Sequence, residues 1–294
     1  MTTNLVSTQW LEDQLNDPKL RIIDIRGKSL APVEMLSPQE RSTAEDPSRV
    51  LNHYEDYVQQ HIPGAVFVNW AEDITDDPQH KRIAPPDAFA STMGKLGITN
   101  EHFVVVYDDA SNTLASRMWW SLNYYGHSQV AVLDGGWRKW HSEGRSITAE
   151  MPRISPTNFE PKPDPSLLRQ GDDIVHLLNE TTRLVDMRLP EEYNGETSLA
   201  RLRGHIPGAV NIPVNSLVQE DSTLLPPDQL RQRFAEKSID DATPEVIFYG
   251  NVGVVSCLGI LGIRIAGLSA HASNYDASWQ EWGNDERKPV EQIR

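Results

Sequence analysis

His61-Ile62-Pro63-Gly64-Ala65-Val66 returns unchanged as His205-Ile206-Pro207-Gly208-Ala209-Val210, and four further blocks repeat around it in the same order. Arg21-Ile22-Ile23-Asp24-Ile25-Arg26 corresponds to Arg183-Leu184-Val185-Asp186-Met187-Arg188, and Pro85-Pro86-Asp87 to Pro226-Pro227-Asp228. Val105-Val106-Tyr107 matches Ile247-Phe248-Tyr249, and Leu133-Asp134-Gly135-Gly136-Trp137 matches Tyr275-Asp276-Ala277-Ser278-Trp279. In the later blocks the second member follows the first by 141 or 142 positions. Five blocks in one order at one spacing make the chain a tandem duplication.

Each copy reads as an α/β unit. RIIDIR and RLVDMR are short apolar runs ending in polar residues, as strands of a parallel sheet buried on both faces should be. The Pro-Pro-Asp segments open stretches of helical spacing, with Asp87 and Asp228 as expected caps. FVVVY and VIFY are the next strands, followed by the helical runs ASRMWWSLNYYG and VVSCLGILGIRIAG. Strands alternating with helices imply, in each copy, a central, mostly parallel sheet flanked by helices. The expected boundaries are a first domain over 1–146, a proline-rich linker over 147–166 and a second domain over 167–294. Between Arg26 and His61 the first copy is 18 residues longer than the second, and the polar stretch from Lys28 to Tyr57 reads as a solvated loop or as a loop over the domain interface.

Composition narrows the function. The 294 residues are 38% hydrophobic and 23% charged, with a net charge of −15, which suits a water-soluble protein and disfavours nucleic acid or an anionic membrane as partner. A single cysteine, Cys257, excludes internal disulfides and cysteine-rich metal sites. The opening MTTNLVSTQW has no signal-peptide pattern, so a cytoplasmic location is expected. The pairs Asp76-Asp77 and Asp108-Asp109 have no further ligands at metal spacing, so neither a metal nor another cofactor is expected.

The two HIPGA turns, LVSTQWL, DDASNTLASRMWW, LDGGWRKW and YDASWQEWGND together resemble the two-domain thiosulfate and 3-mercaptopyruvate sulfurtransferases of the rhodanese family. The resemblance covers almost the whole chain and implies two rhodanese-like α/β domains, with catalysis confined to the second. There the family places a cysteine directly after a strand, in a loop resembling Cys-Gly-Ser-Gly-Val-Thr. The cysteine takes sulfur from a donor and passes it on as a persulfide, the thiolate being favoured by loop N–H groups and a helix N-terminus. Here the loop reads Gly250-Asn251-Val252-Gly253-Val254-Val255. Aligned on Gly253-Val254, the cysteine becomes Gly250, the serine Val252 and the threonine Val255. The resemblance also places Glu192 where the family has an arginine, and Ala71 where it has a first-domain aspartate. The family's second arginine falls at Arg201 or Arg203, and the first-domain acid at Asp108.

Two functions follow. In the first, persulfide transfer is lost and the chain is a binding or scaffold module; loss of the cysteine leaves a void lined by N–H groups that accepts a small anion, a sulfur compound or another, beside an unidentified protein partner. In the second, the chain is an active sulfurtransferase using Cys257 or a partner's persulfide. The apolar neighbours Val254, Val255, Leu258 and Ile260 make Cys257 read as a buried packing residue. Features shared by both copies read as structural: Arg26 and Arg188, His61 and His205, and the Trp137/Trp140 and Trp279/Trp282 pairs. His80, Lys81 and Arg82 lie near a family histidine and read as a solvated basic loop.

Overall fold

A computed structural model describes residues 3–28, 52–76, 82–177 and 182–292. Its first half builds one five-stranded sheet from β1 (Leu5–Val6), β2 (Leu20–Asp24), β3 (Ala65–Phe67), β4 (Phe103–Tyr107) and β5 (Val130–Leu133), in the order β1-β5-β4-β2-β3. The second half repeats it with β6 (Leu168–Arg169), β7 (Arg183–Asp186), β8 (Val210–Asn211), β9 (Glu245–Tyr249) and β10 (His271–Tyr275), in the order β6-β10-β9-β7-β8. Every pairing in both sheets is parallel. Parallel strands need crossovers, and helices on the sheet faces supply them. The tandem α/β architecture is therefore the one the repeat implies.

Among the first domain's helices are α1 (Thr8–Gln14), α2 (Tyr54–Gln59), α3 (Trp70–Asp73), α4 (Pro86–Lys95), α5 (Thr113–Tyr124) and α6 (Gly136–Ser142). The second carries α7 (Gly171–Leu177), α8 (Pro190–Tyr193), α9 (Pro227–Ala235), α10 (Val255–Ile265) and α11 (Ser278–Trp282). Asp87 and Asp228 do not cap α4 and α9. Pro86 and Pro227 take the first helical position, where their fixed φ fits and no N–H is missed, so each aspartate falls in the first turn.

The inserted stretch of the first copy ends earlier than the sequence reading places it, and the linker packs on the first domain. The extra stretch of the first copy does not reach Tyr57, which belongs to the repeat. On α2, Tyr57 stacks on His61 at 4.2 Å and its hydroxyl donates to Ala65 O at 2.8 Å; on α8, Tyr193 stacks on His205 at 3.8 Å and donates to Ala209 O at 2.8 Å. The turn fixes these tyrosines in three dimensions, although different chain lengths precede them. Within that stretch, 29–51 lies outside the described residues, as do His80 and Lys81. The proline-rich linker is no loose tether. Phe159 is buried against Phe89, and Lys162 N–H donates to Tyr125 O, so this segment lies along the first domain.

The domains share one apolar core. Helices α5 and α10 face each other, and Leu114 and Met118 belong to the same buried cluster as Leu258 and Leu261. Matching polar contacts flank it: Asp134 Oδ1 accepts from Leu224 N–H at 2.9 Å, and Asp276 Oδ2 from Ile83 N–H at 2.7 Å. Asp134 and Asp276 are repeat equivalents, so the duplication has left an approximate two-fold arrangement across the interface. Among the described residues no helix is long and apolar enough to cross a membrane.

Candidate functional site

The site is the strand–loop–helix crossing from β9 through Gly250–Val254 into α10. In the first domain the same crossing runs from β4 through Asp108–Asn112 into α5, and there an anionic side chain fills the loop. Asp108 Oδ1 accepts from the N–H groups of Ala110 and Asn112 at 3.1 and 2.9 Å, and Oδ2 from Leu114 and Ala115 at 2.7 and 2.9 Å. Four convergent N–H groups around one carboxylate are what a helix N-terminus and its preceding loop offer an anion. Burial nevertheless raises the Asp108 carboxyl to about 6 against these donors.

The second loop has the same entry and exit and a different interior. Gly250 O accepts from Trp279 N–H at 3.0 Å, as Asp108 O does from Trp137 N–H at 2.7 Å. With no side chain at 250, however, the loop closes on itself: Val254 N–H donates to Val252 O at 2.7 Å and Cys257 N–H to Val254 O at 3.1 Å. The expected void at Gly250 is filled. A Cβ there would lie 2.4 Å from Val255 Cγ2 and 3.2 Å from Val252 O, because the β-branched Val255 puts a methyl where a cysteine side chain would begin. Of the four N–H positions that hold the carboxylate in the first loop, the two at Val254 and Cys257 are taken by loop carbonyls. The reading of an open anion cradle is corrected accordingly.

Ser278, which the sequence reading passed over, completes the loop from the side. Gly250 N–H donates to its Oγ at 3.1 Å, and that hydroxyl donates to Tyr275 O at 2.8 Å. Ser278 has φ 51°, where its repeat partner Gly136 has φ 52°. A serine in the left-handed region is held there by hydrogen bonds on both sides.

Glu192 is brought to the loop as the alignment implies. It is 4% exposed; its Oε1 accepts from Asn251 Nδ2 at 2.8 Å and its Oε2 from Leu189 N–H at 3.2 Å. A carboxylate therefore braces the loop mouth, at the place where the resemblance implies an arginine. Arg201 and Arg203 point elsewhere. Arg201 is 73% exposed, 3.8 Å from Glu286, and Arg203 Nη1 donates to Glu196 O at 3.1 Å. Among the described residues neither bonds to Gly250–Val255, and Ala71 is buried in α3 with no acid to offer.

Cys257 lies under the loop, fully buried. Its Sγ donates to Gly253 O at 3.2 Å, and burial pushes the thiol up to about 12 although Arg117 pulls the other way. Arg117 is the second residue the sequence did not reveal. It comes from α5 of the first domain, is fully buried, donates to Gly253 O at 2.7 Å and pairs with Asp276. Asn274 Nδ2 joins it on Gly253 O at 3.1 Å. Gly253 has to be glycine, since a Cβ would fall 2.1 Å from Asp276 Oδ1.

The shared features sit symmetrically, as the repeat argued. Arg26 pairs with Asp24 at 2.8 Å beneath Trp137, and Arg188 with Asp186 at 2.6 Å beneath Trp279, each guanidinium 4.2 Å from the indole. Next to Asp108, Asp109 bonds His53 Nδ1 at 2.6 Å, and Arg82 lies 3.2 Å from Asp76.

Two parallel α/β domains in tandem, each with a strand–loop–helix crossing at the end of its central strand, define a rhodanese-like class of fold. The rhodanese-like domain pattern matches residues 7–143 and 171–285, and the chain belongs to that family. It is 32% identical over 293 residues to the sulfur carrier protein TtuD of Thermus thermophilus, covering 95% of this chain and 93% of that one. The thiosulfate sulfurtransferase of Rattus norvegicus is 32% identical over 290 residues, covering 95% and 91%. The crystal structure of SseA, a 3-mercaptopyruvate sulfotransferase from Escherichia coli, superimposes with TM-score 0.77 at 28% identity, covering 95% of this chain and 99% of that one.

Proposed function

We propose that the chain acts in sulfur transfer without carrying sulfur on its own loop: the sulfur atom rides on a thiol outside the chain, that of a partner or a small persulfide. The relatives support the sulfur-transfer half of this reading, since the similar proteins are a sulfur carrier and thiosulfate sulfurtransferases. The observation that carries the other half is the filled Cβ position at Gly250, with Val255 Cγ2 at 2.4 Å. The one thiol in the chain is buried and held protonated, so it is a poor nucleophile at neutral pH. A net charge of −15 favours a basic partner, and a reducing, cytoplasmic setting suits a chain with one free thiol.

The test uses cyanide as acceptor and thiocyanate as readout. With thiosulfate or 3-mercaptopyruvate as donor, the rate is expected to stay at that of heat-killed protein. With glutathione persulfide, the chain is expected to raise the rate above the uncatalysed one. Turnover with thiosulfate that disappears in Cys257→Ser would establish Cys257 as the sulfur carrier instead. A second reading, a binding module with no part in sulfur transfer, is favoured by Glu192 at the loop mouth and would be upheld by acceleration with none of the three donors.

A further inference from the structure

The approximate two-fold arrangement gives the interface two flanks, and the flank away from the Gly250 loop also holds a cavity. It lies beside the Asp134–Leu224 contact, has a volume of about 500 Å³, and draws its walls from both domains. Leu5, Leu225, Pro226 and Ile265 give the walls an apolar part, and Thr3, Asn4 and Gln219 a polar one. Among the described residues, Arg264 and Asp134 are the only ionisable ones that line it. Arg264 stands at the far end of α10, nine residues beyond Val255, so about 14 Å of helix separates this cavity from the loop.

Two opposite charges line this cavity. Among the described residues Arg264 forms no ion pair, and its guanidinium is free to take a carboxylate in a two-pronged hydrogen bond. Asp134 receives backbone N–H groups from Leu224, at 2.9 Å, and from Gly135, and among the described residues no cation is bonded to it, since Lys139 is engaged by Asp221 at 2.8 Å. Burial raises the Asp134 carboxyl, and an ammonium group arriving beside it would offset that cost. Clefts between domains are a common place for small-molecule sites.

We propose that this cavity binds a small zwitterion with an apolar side chain, an α-amino acid or dipeptide, its carboxylate on Arg264, its ammonium on Asp134 and its side chain against Leu5, Leu225 and Ile265. The site is independent of the loop and of any sulfur chemistry there. Calorimetric titration with L-leucine and L-leucyl-L-leucine tests it, with N-acetyl-L-leucine and L-leucinamide as forms lacking one charge. At least one zwitterion is expected to bind saturably, and both one-charge forms about tenfold or more weaker. Arg264→Gln should weaken the zwitterion by a similar factor and leave thermal unfolding where it is, because Arg264 is an exposed residue. The proposal is overturned if neither zwitterion binds, if the one-charge forms bind equally well, or if Arg264→Gln binds as the parent does. Preference for the dipeptide or for the free amino acid decides which of the two sources the site serves.

Discussion

The loops after β4 and β9 began as copies of one another and now solve the same problem in opposite ways. Both leave backbone N–H groups at the start of a helix that need acceptors. The first loop brings in a carboxylate, and Asp108 takes four of those N–H groups. The second has no side chain at 250, turns its own carbonyls inward and seals the gap with a valine methyl. In sulfurtransferases this place belongs to a reactive anion. A loop can thus keep its backbone course while the group it was shaped around is replaced by a fixed carboxylate or by packing.

The largest effect should come from the contact that ties the second loop to the first domain. Arg117→Met leaves Asp276 buried without its cation, and a loss of about 3–5 kcal/mol is expected in urea unfolding. A loss below about 1 kcal/mol would show that the loop does not depend on the first domain. Next is Asp108→Ala, which asks whether the first loop can close on itself as the second does. With buried N–H groups left without an acceptor, a loss of about 2–4 kcal/mol is expected; little change in the unfolding midpoint would mean that the two backbones are interchangeable.

Gly250→Cys probes the comparison from the other side. Overpacking against Val255 should destabilise by about 1–3 kcal/mol, and adding Val255→Ala should recover part of that loss. If the single and double variants lose the same stability, Val255 is not what fills the site. Restored thiosulfate turnover is expected in neither, because Glu192 still stands at the loop mouth.

The smaller effects are chemical. With Asp108 raised by burial from 3.8 to about 6, folding takes up a proton at this residue. Its contribution to stability is complete below pH 3.8 and is lost as pH rises through about 6. Between pH 7 and pH 5 it should add about 1 kcal/mol, and Asp108→Asn should remove that slope from the unfolding midpoints. Cys257, pushed up to about 12 within the core, should resist iodoacetamide in the native protein and react on unfolding in urea. Modification of the folded chain at the rate of a free thiol would reopen Cys257 as a sulfur carrier.

Much was legible in the amino-acid order because duplication prints everything twice. The repeat assigned both sheets, and it marked Asp24–Arg26 and Asp186–Arg188 as structural pairs, which lie buried under Trp137 and Trp279 at equal distances. It also set the alignment that puts Gly250 opposite Asp108. Where copies differ in length the reading failed: Tyr57 was taken for part of an inserted loop, although the turn at His61 holds it as the turn at His205 holds Tyr193.

What the sequence alone determined is the fold, its duplication and the absence of a thiol at position 250, because each is a matter of local pattern or residue identity. Tertiary structure alone decided that Val255 occupies the space beside Gly250, that Cys257 is shut away, and that Arg117 reaches 136 positions along the chain to hold Gly253. Those outcomes depend on which side chain arrives from another element and how much room it finds, and no local periodicity encodes either.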